Sequence, residues 1–242
     1  MEVRVFDTYG EMCGEVAGEI QCVLRENPEA LLCIAAGHTS LGLFGRLAEM
    51  HGTGDVDFSR ASFVAMDEWL GMSETTPNGC GSFLRENFLN KVNFRPGNVR
   101  LFDGAANDPE RECSEVERFI ETKSKNRAID YLVLGTGMNG HLALNEPGCD
   151  LSARARVTGI DAVTKRVGQK YFAKETELSG GLTLGVDNFS EAGRSVLMVS
   201  GPHKRDTLHR ILAGPVSNEL PATALKTFKN AGIYCDREAY GD

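Results

Sequence analysis

Four short runs of almost unbroken apolar residues, at 30–36, 61–66, 129–134 and 195–199, leave this chain few folds to adopt. A strand with one wet face alternates apolar and polar residues. A strand that is apolar throughout must be covered on both faces, which is the habit of parallel sheets. Between these runs the period changes. Met12, Val16, Ile20, Val23 and Leu24 recur at helical spacing within residues 9–26. Residues 40–50, 82–91, 109–123, 163–172 and 203–212 also read as helices, the third opening on Asp108 and Pro109 in the cap and first-turn positions. Shorter strands are expected at 2–6, 98–102, 156–160, 181–186 and 233–235, with a helical turn at 222–227. Strand and helix in alternation predict an α/β fold of three layers, a mainly parallel sheet with helices on both faces.

The chain has 242 residues, no internal repeat and no low-complexity linker, so residues 1–242 are expected to form a single domain. A net charge of -8 is the wrong sign for a nucleic-acid footprint, although a few local cations suffice for a small anionic substrate. No run of eighteen apolar residues is present, so no membrane span is expected. The first residues, MEVRVF, read as a strand and lack the pattern of a secretory leader. Seven cysteines, an odd number without any C-x-x-C pair, read as reduced thiols of a cytoplasmic protein, not as disulfides or a zinc site.

In such sheets ligands bind at the carboxyl ends of the strands, and the candidate residues fall there. Residues 135–148, GTGMNGHLALNEPG, follow an apolar strand and gather His141, Glu146, Asn139 and several glycines in one loop. Glycines let backbone approach a ligand, and a histidine beside a glutamate can move protons at neutral pH. Residues 36–42, AGHTSLG, join a strand to a helix. Locally they read as a turn with Thr39 or Ser40 capping the helix; the same backbone, Gly37, His38 and Thr39, can seat a phosphate. The segment is neither G-x-G-x-x-G nor a lysine-bearing P-loop, so neither NAD nor ATP is indicated. Asp67 and Glu68 end another apolar run. Neighbours on a strand point to opposite faces, so one acid can face the crevice while the other is structural. On its own the pair also reads as a solvated acidic turn, and Trp69 as a packing residue. Lys170 and Lys204, the latter just past the run at 195–199, are candidate phosphate cations.

Taken in order, these segments resemble the glucosamine-6-phosphate deaminase family, also described as glucosamine/galactosamine-6-phosphate isomerases, across nearly the whole chain. Residues 36–39 resemble its phosphate loop. Met66, Asp67, Glu68 and Gly71 resemble its M-D-E-[YW]-x-G segment, and residues 137–148 its G-x-[DN]-G-H-x-x-x-N-E-P signature. Residues 182–185, and Gly201 with Lys204, resemble later blocks. The resemblance implies a modified Rossmann-like fold and a phosphorylated amino sugar as substrate. It implies ring opening by His141, supported by Glu146 and the residue at position 139, and proton transfer at C2 by Asp67. Gly37, His38, Thr39, Lys170 and Lys204 would hold the 6-phosphate, with no metal and no cofactor.

The chain departs from the family in three places. Asn139 stands where aspartate is common, no proline follows Thr39, and Cys149 and Thr158 occupy positions that bind an allosteric activator in hexameric members. The last departure implies that the activator site is lost, and it leaves the oligomeric state open. Trp69 and residues 78–82 resemble the galactosamine branch, which leaves the C4 epimer open. The related 6-phosphogluconolactonases, which typically lack N-E-P here, make hydrolysis of a sugar lactone the alternative. A non-catalytic sugar-phosphate sensor would be expected to lose the proton-transfer residues and gain a DNA-binding domain.

Overall fold

The apolar runs at 30–36 and 129–134 lie side by side in the middle of a parallel sheet, and their strand residues are buried throughout. The computed structural model describes residues 1–172, 174 and 176–241; residues 173, 175 and 242 of the expected domain, and the side chain of Tyr171, lie outside the described residues. In chain order the strands are β1 (Glu2–Phe6), β2 (Leu31–Ile34), β3 (Ser62–Val64), β4 (Asp67–Trp69), β5 (Val99–Arg100), β6 (Tyr131–Leu134), β7 (Arg156–Gly159), β8 (Gly180–Thr183), β9 (Arg194–Val199) and β10 (Ala231–Asp236). The helices are α1 (Tyr9–Glu26), α2 (Leu41–Gly52), α3 (Cys80–Asn87), α4 (Pro109–Lys123), α5 (Ala162–Gly168), α6 (Val186–Ser190), α7 (Arg205–Ala213) and α8 (Arg237–Tyr240).

Among the described residues the main sheet runs β1-β10-β9-β6-β2-β3-β5, parallel throughout. The expected α/β architecture is therefore present. From β2 the chain builds outward through β3 to β5; from β6 it builds the other way through β9 to β10. Neighbouring strands β2 and β6 are thus a topological switch point. The loops leaving them diverge and open a crevice at the carboxyl edge. The helices do what their period predicts. In α1, Met12, Val16, Ile20 and Leu24 face the core, each worth about 1.5–3 kcal/mol on burial, and Thr8 Oγ1 accepts the Glu11 N–H at 3.2 Å as the cap. Asp108 caps α4 in the same way, accepting from Arg111 N at 3.0 Å.

Three expectations need correction. The run at 61–66 does not carry straight into Asp67. Ala65 N still donates to Arg100 O on β5 at 2.9 Å, but Met66 O accepts Leu184 N at 2.8 Å. The chain changes sheets at Met66, and Asp67 begins β4 in a second, antiparallel sheet of order β4-β8-β7, with Asp67 opposite Thr183. The expected strand at 181–186 stops at Thr183, because Asn188 Oδ1 accepts the Gly185 N–H at 2.9 Å and starts α6. The helix expected at 82–91 begins earlier, at Cys80, and ends in a 3-10 turn at Leu89–Lys91.

Candidate active site

Four neighbouring strands of the main sheet send their following segments to one cavity of about 240 Å³. The segment after β2 contributes Gly37, His38 and Thr39; that after β3 contributes Asp67; that after β6 contributes Asn139 and His141; that after β9 contributes Lys204. Lys170, in the 3-10 turn following α5, lines the same space. Glu146 lies one layer back, buried behind His141. The candidate residues thus converge from five separate segments.

The two acids of the strand end divide as their alternation requires. Asp67 faces the cavity, and burial pushes its carboxyl up to about 6, against weaker pulls from the Cys80 thiol and His141. Glu68 turns the other way, to the start of α3. Its Oε1 accepts Trp69 N and Cys80 N, each at 2.9 Å, and its Oε2 accepts Gly81 N at 2.8 Å. Burial pushes Glu68 up to about 7 even against these three amides, with the neighbouring Asp67 charge adding to the rise. Glu68 therefore ties β4, and with it Asp67, to the N-terminus of α3, where a negative charge is favoured. The pair is not a solvated turn. Trp69 packs with Met72, Leu144 and Leu178 and also lines the cavity.

The loop after β6 is folded around its own polar groups. Asn139 Nδ2 donates to Glu146 Oε2 at 2.7 Å, and Asn139 Oδ1 accepts His141 N at 3.3 Å. His141 Nδ1 faces two oxygens, Thr164 Oγ1 at 3.1 Å and Glu146 Oε2 at 3.4 Å, so the proton of the neutral ring belongs on Nδ1. That assignment leaves Nε2 with a lone pair. Burial alone would raise the Glu146 carboxyl, but bonds to His141, Thr164 and Asn139, together with the His141 charge, hold it below the usual range. Its Oε1 is buried and accepts no hydrogen bond from the described residues. Gly137 is needed for close approach, since a Cβ there would lie 2.6 Å from His141 Cε1 and Nε2. Gly140 has φ +82°, and a Cβ on it would meet Leu220 Cδ1 at 2.1 Å. Ala143 takes the left-handed region without being glycine, at φ +53°. Such strain costs about 1–3 kcal/mol and persists only where surroundings enforce it. Here Leu144 N donates to Thr183 Oγ1 at 3.2 Å, and Asn145 Nδ2 donates to Leu142 O at 2.8 Å and Leu184 O at 2.9 Å. Arg156 Nη2 in turn donates to Asn145 Oδ1 at 2.7 Å.

The helix-cap reading of Thr39 or Ser40 is overturned. Neither side chain caps α2, because Tyr9 does so from another element: its hydroxyl accepts Gly42 N–H at 2.7 Å and donates to Thr39 O at 2.9 Å. That frees the turn at His38–Ser40 to line the cavity. Across from it, Lys204 Nζ donates to Thr136 O at 2.6 Å, and burial with the nearby Lys170 charge lowers its amine to about 8. Thr164, Cys80, Thr136 and His203, none of them singled out from the sequence, also line the cavity. Among the described residues no cluster of three or more His, Cys, Asp or Glu is arranged to hold a metal, no helix is long and apolar enough to cross a membrane, and all seven cysteines are free.

The family described as glucosamine-6-phosphate isomerases/6-phosphogluconolactonase matches residues 7–233. Glucosamine-6-phosphate deaminase of Thermoanaerobacter sp. (strain X514) is 31% identical over 240 residues, covering 99% of this chain and 94% of the relative. Glucosamine-6-phosphate deaminase 1 of Bacillus subtilis (strain 168) is 29% identical, covering 99% and 98%. A solved structure of a monomeric glucosamine-6-phosphate deaminase superposes with a TM-score of 0.93 at 29% identity, covering 99% of this chain and 98% of that one. The 6-phosphogluconolactonase of Thermotoga maritima shares the fold, with a TM-score of 0.77 at 18% identity and coverage of 97% and 99%.

Proposed function

The chain belongs to the glucosamine-6-phosphate isomerase/6-phosphogluconolactonase family, and from that premise we propose that it converts a hexosamine 6-phosphate to a ketohexose 6-phosphate and ammonia, without a cofactor. One observation carries the reading: Asp67 and His141 line a single cavity that also holds Lys170, Lys204 and the Gly37–His38–Thr39 turn.

The phosphate dianion binds between that turn and the two lysines. Binding energy from this remote group holds the sugar carbons against the reacting residues. Nε2 of His141 takes the anomeric hydroxyl proton and returns one to the ring oxygen, which opens the pyranose to the aldehyde. Glu146 stabilises the imidazolium that forms in passing, and Asn139 fixes the carboxylate by its amide. Asn139 itself transfers no proton, since an amide cannot at neutral pH. Asp67 then removes the C2 proton while O1 takes up a proton, giving an enolamine, and delivers its proton to C1 as the amine nitrogen gives one up. The product is an imine at C2. Water adds to it, ammonia leaves, and the ketose 6-phosphate remains. A carboxyl at about 6 suits this work: it is mostly ionised at neutral pH yet basic enough to take a proton from carbon.

Ammonia release measured on glucosamine 6-phosphate and galactosamine 6-phosphate tests the reading and names the C4 epimer. Hydrolysis of 6-phosphogluconolactone with no ammonia from either sugar would replace it with the lactonase. Cys149 and Thr158 stand at the activator positions. Adding N-acetylglucosamine 6-phosphate is therefore expected to leave the substrate saturation curve unchanged. The free thiols fit a cytoplasmic enzyme.

A further inference from the structure

Thr164 has no part in the chemistry above, yet it is buried beside Asn139, His141 and Glu146 of the β6 loop. Its Oγ1 lies 3.1 Å from His141 Nδ1 and 3.4 Å from Asn139 Nδ2, and Thr164 is among the groups that hold the Glu146 carboxyl low. The direct His141–Glu146 contact, at 3.4 Å, is long for N–H···O, so the better partner of Nδ1 is the hydroxyl. A hydroxyl accepts and donates at once. Thr164 can accept a hydrogen bond from Nδ1 and still offer its own hydroxyl hydrogen to the Glu146 carboxylate, bridging the pair.

Thr164 also belongs to a different segment from the residues it bridges. It sits on α5, and the turn that ends α5 carries Lys170. Lys170 lies six positions further on, about 9 Å of helical rise. Gln169 ties that turn to the chain beyond it, donating to Thr176 O at 2.6 Å and accepting Thr176 N at 3.0 Å. Along α5 the buried residues are Thr164 and Gly168; Val167 lines the cavity with 36% of its surface exposed. The helix is therefore held by a polar contact at Thr164 and a close approach of Gly168 to Leu178 and Trp69, where a Cβ would lie 2.9 Å from Leu178 Cδ1. An element with so little apolar burial moves at low cost.

We propose that Thr164 is a positioning residue which couples capture of the substrate phosphate by Lys170 to the orientation of His141. This rests on the function proposed above. An anion drawing on Lys170 shifts α5 as a unit and seats the hydroxyl on Nδ1, so that the ring is aligned when the phosphate is anchored. The proposal demands the hydroxyl and not the bulk of the side chain.

The experiment compares the full-length protein with Thr164→Val, which keeps the shape, and Thr164→Ser, which keeps the hydroxyl. With a hexosamine 6-phosphate, Thr164→Val is expected to lose about 10–100-fold in kcat with little change in KM, and Thr164→Ser to stay within about three-fold of wild type. A second readout needs no turnover. Histidine side-chain NMR follows the wild type and both variants as inorganic phosphate is added. His38 and His203 line the same cavity and report that phosphate has bound. In the wild type and Thr164→Ser the His141 signals move with them; in Thr164→Val the reporters still move and His141 does not. Wild-type kcat in Thr164→Val, or a His141 response undiminished in it, overturns the coupling. A wild-type protein that releases no ammonia but gives this NMR pattern overturns the substrate assignment and supports the coupling.

Discussion

Two glutamates, each enclosed by polar side chains, mark the difference between the two edges of the sheet. Glu19 on α1 meets Tyr131 and Arg194, the first residues of β6 and β9. Its Oε2 accepts Tyr131 OH at 2.8 Å and Arg194 Nε at 3.3 Å, and its Oε1 accepts Tyr234 OH. Arg194 and Arg4 both reach the Tyr234 hydroxyl, at 2.8 Å and 3.3 Å, and Arg4 also pairs with Glu15 at 2.5 Å. Every carboxylate oxygen of Glu19 has a partner. Glu146, at the carboxyl edge, takes both Asn139 and His141 on Oε2 and leaves Oε1 with no partner among the described residues. A fully partnered, half-buried charge stabilises a fold and does little else. One with capacity to spare, beside a strained Ala143 and an Asp67 carboxyl raised to about 6, marks where the molecule accepts instability to keep groups ready for chemistry.

The largest test of that contrast is Asp67→Asn, which removes the base and should cut ammonia release by about 10²–10⁴-fold while the variant still binds phosphate. Near-normal turnover would show that Asp67 is not the base. Next, Glu146→Gln should lower kcat by about 100-fold and leave the melting temperature near wild type, because one of its oxygens contributes no bond to lose. Lys204→Met should raise KM by about 10–100-fold, the worth of one charge-assisted bond of about 1.5–3 kcal/mol, with a smaller effect on kcat. Glu19→Gln should do the reverse of Glu146→Gln: kcat unchanged, and a melting temperature lower by about 5 °C for a loss of about 2 kcal/mol. If Glu19→Gln lowers turnover and Glu146→Gln lowers the melting point, the division between the edges is wrong. The smallest effect is on pH. Asp67 must be ionised to act, so kcat/KM should fall as pH drops through about 6; Lys204 must be protonated to hold the phosphate, so kcat/KM should also fall as pH rises through about 8.

Much of this was legible along the chain wherever one element supplies the signal. The period of Met12, Val16, Ile20 and Leu24 located α1 to its ends, and the opposite facing of Asp67 and Glu68 followed from strand geometry. The gathering of His141 and Glu146 in one glycine-rich loop was equally local. What was not legible lies across long separations. Tyr9 caps α2 from 33 residues away, Thr164 reaches His141 across 23, and Glu68 closes on Gly81 across 13. None of these contacts leaves a periodic trace, since each depends on a single side chain reaching a neighbour that folding supplies. The passage of the chain from one sheet to the other at Met66 was hidden for the same reason, because the apolar run reads alike in either sheet.

By itself the sequence determined which strands must be covered on both faces and which short loops carry proton-transferring and cationic groups. Those are consequences of apolar period and residue chemistry within a few positions. Tertiary structure alone decided that β2 and β6 lie side by side, so that the loops beyond them part into a cavity, and that α5 brings a hydroxyl to the histidine there. Strand neighbours and interhelical contacts are chosen by the packing of the whole core, and no local pattern encodes that choice.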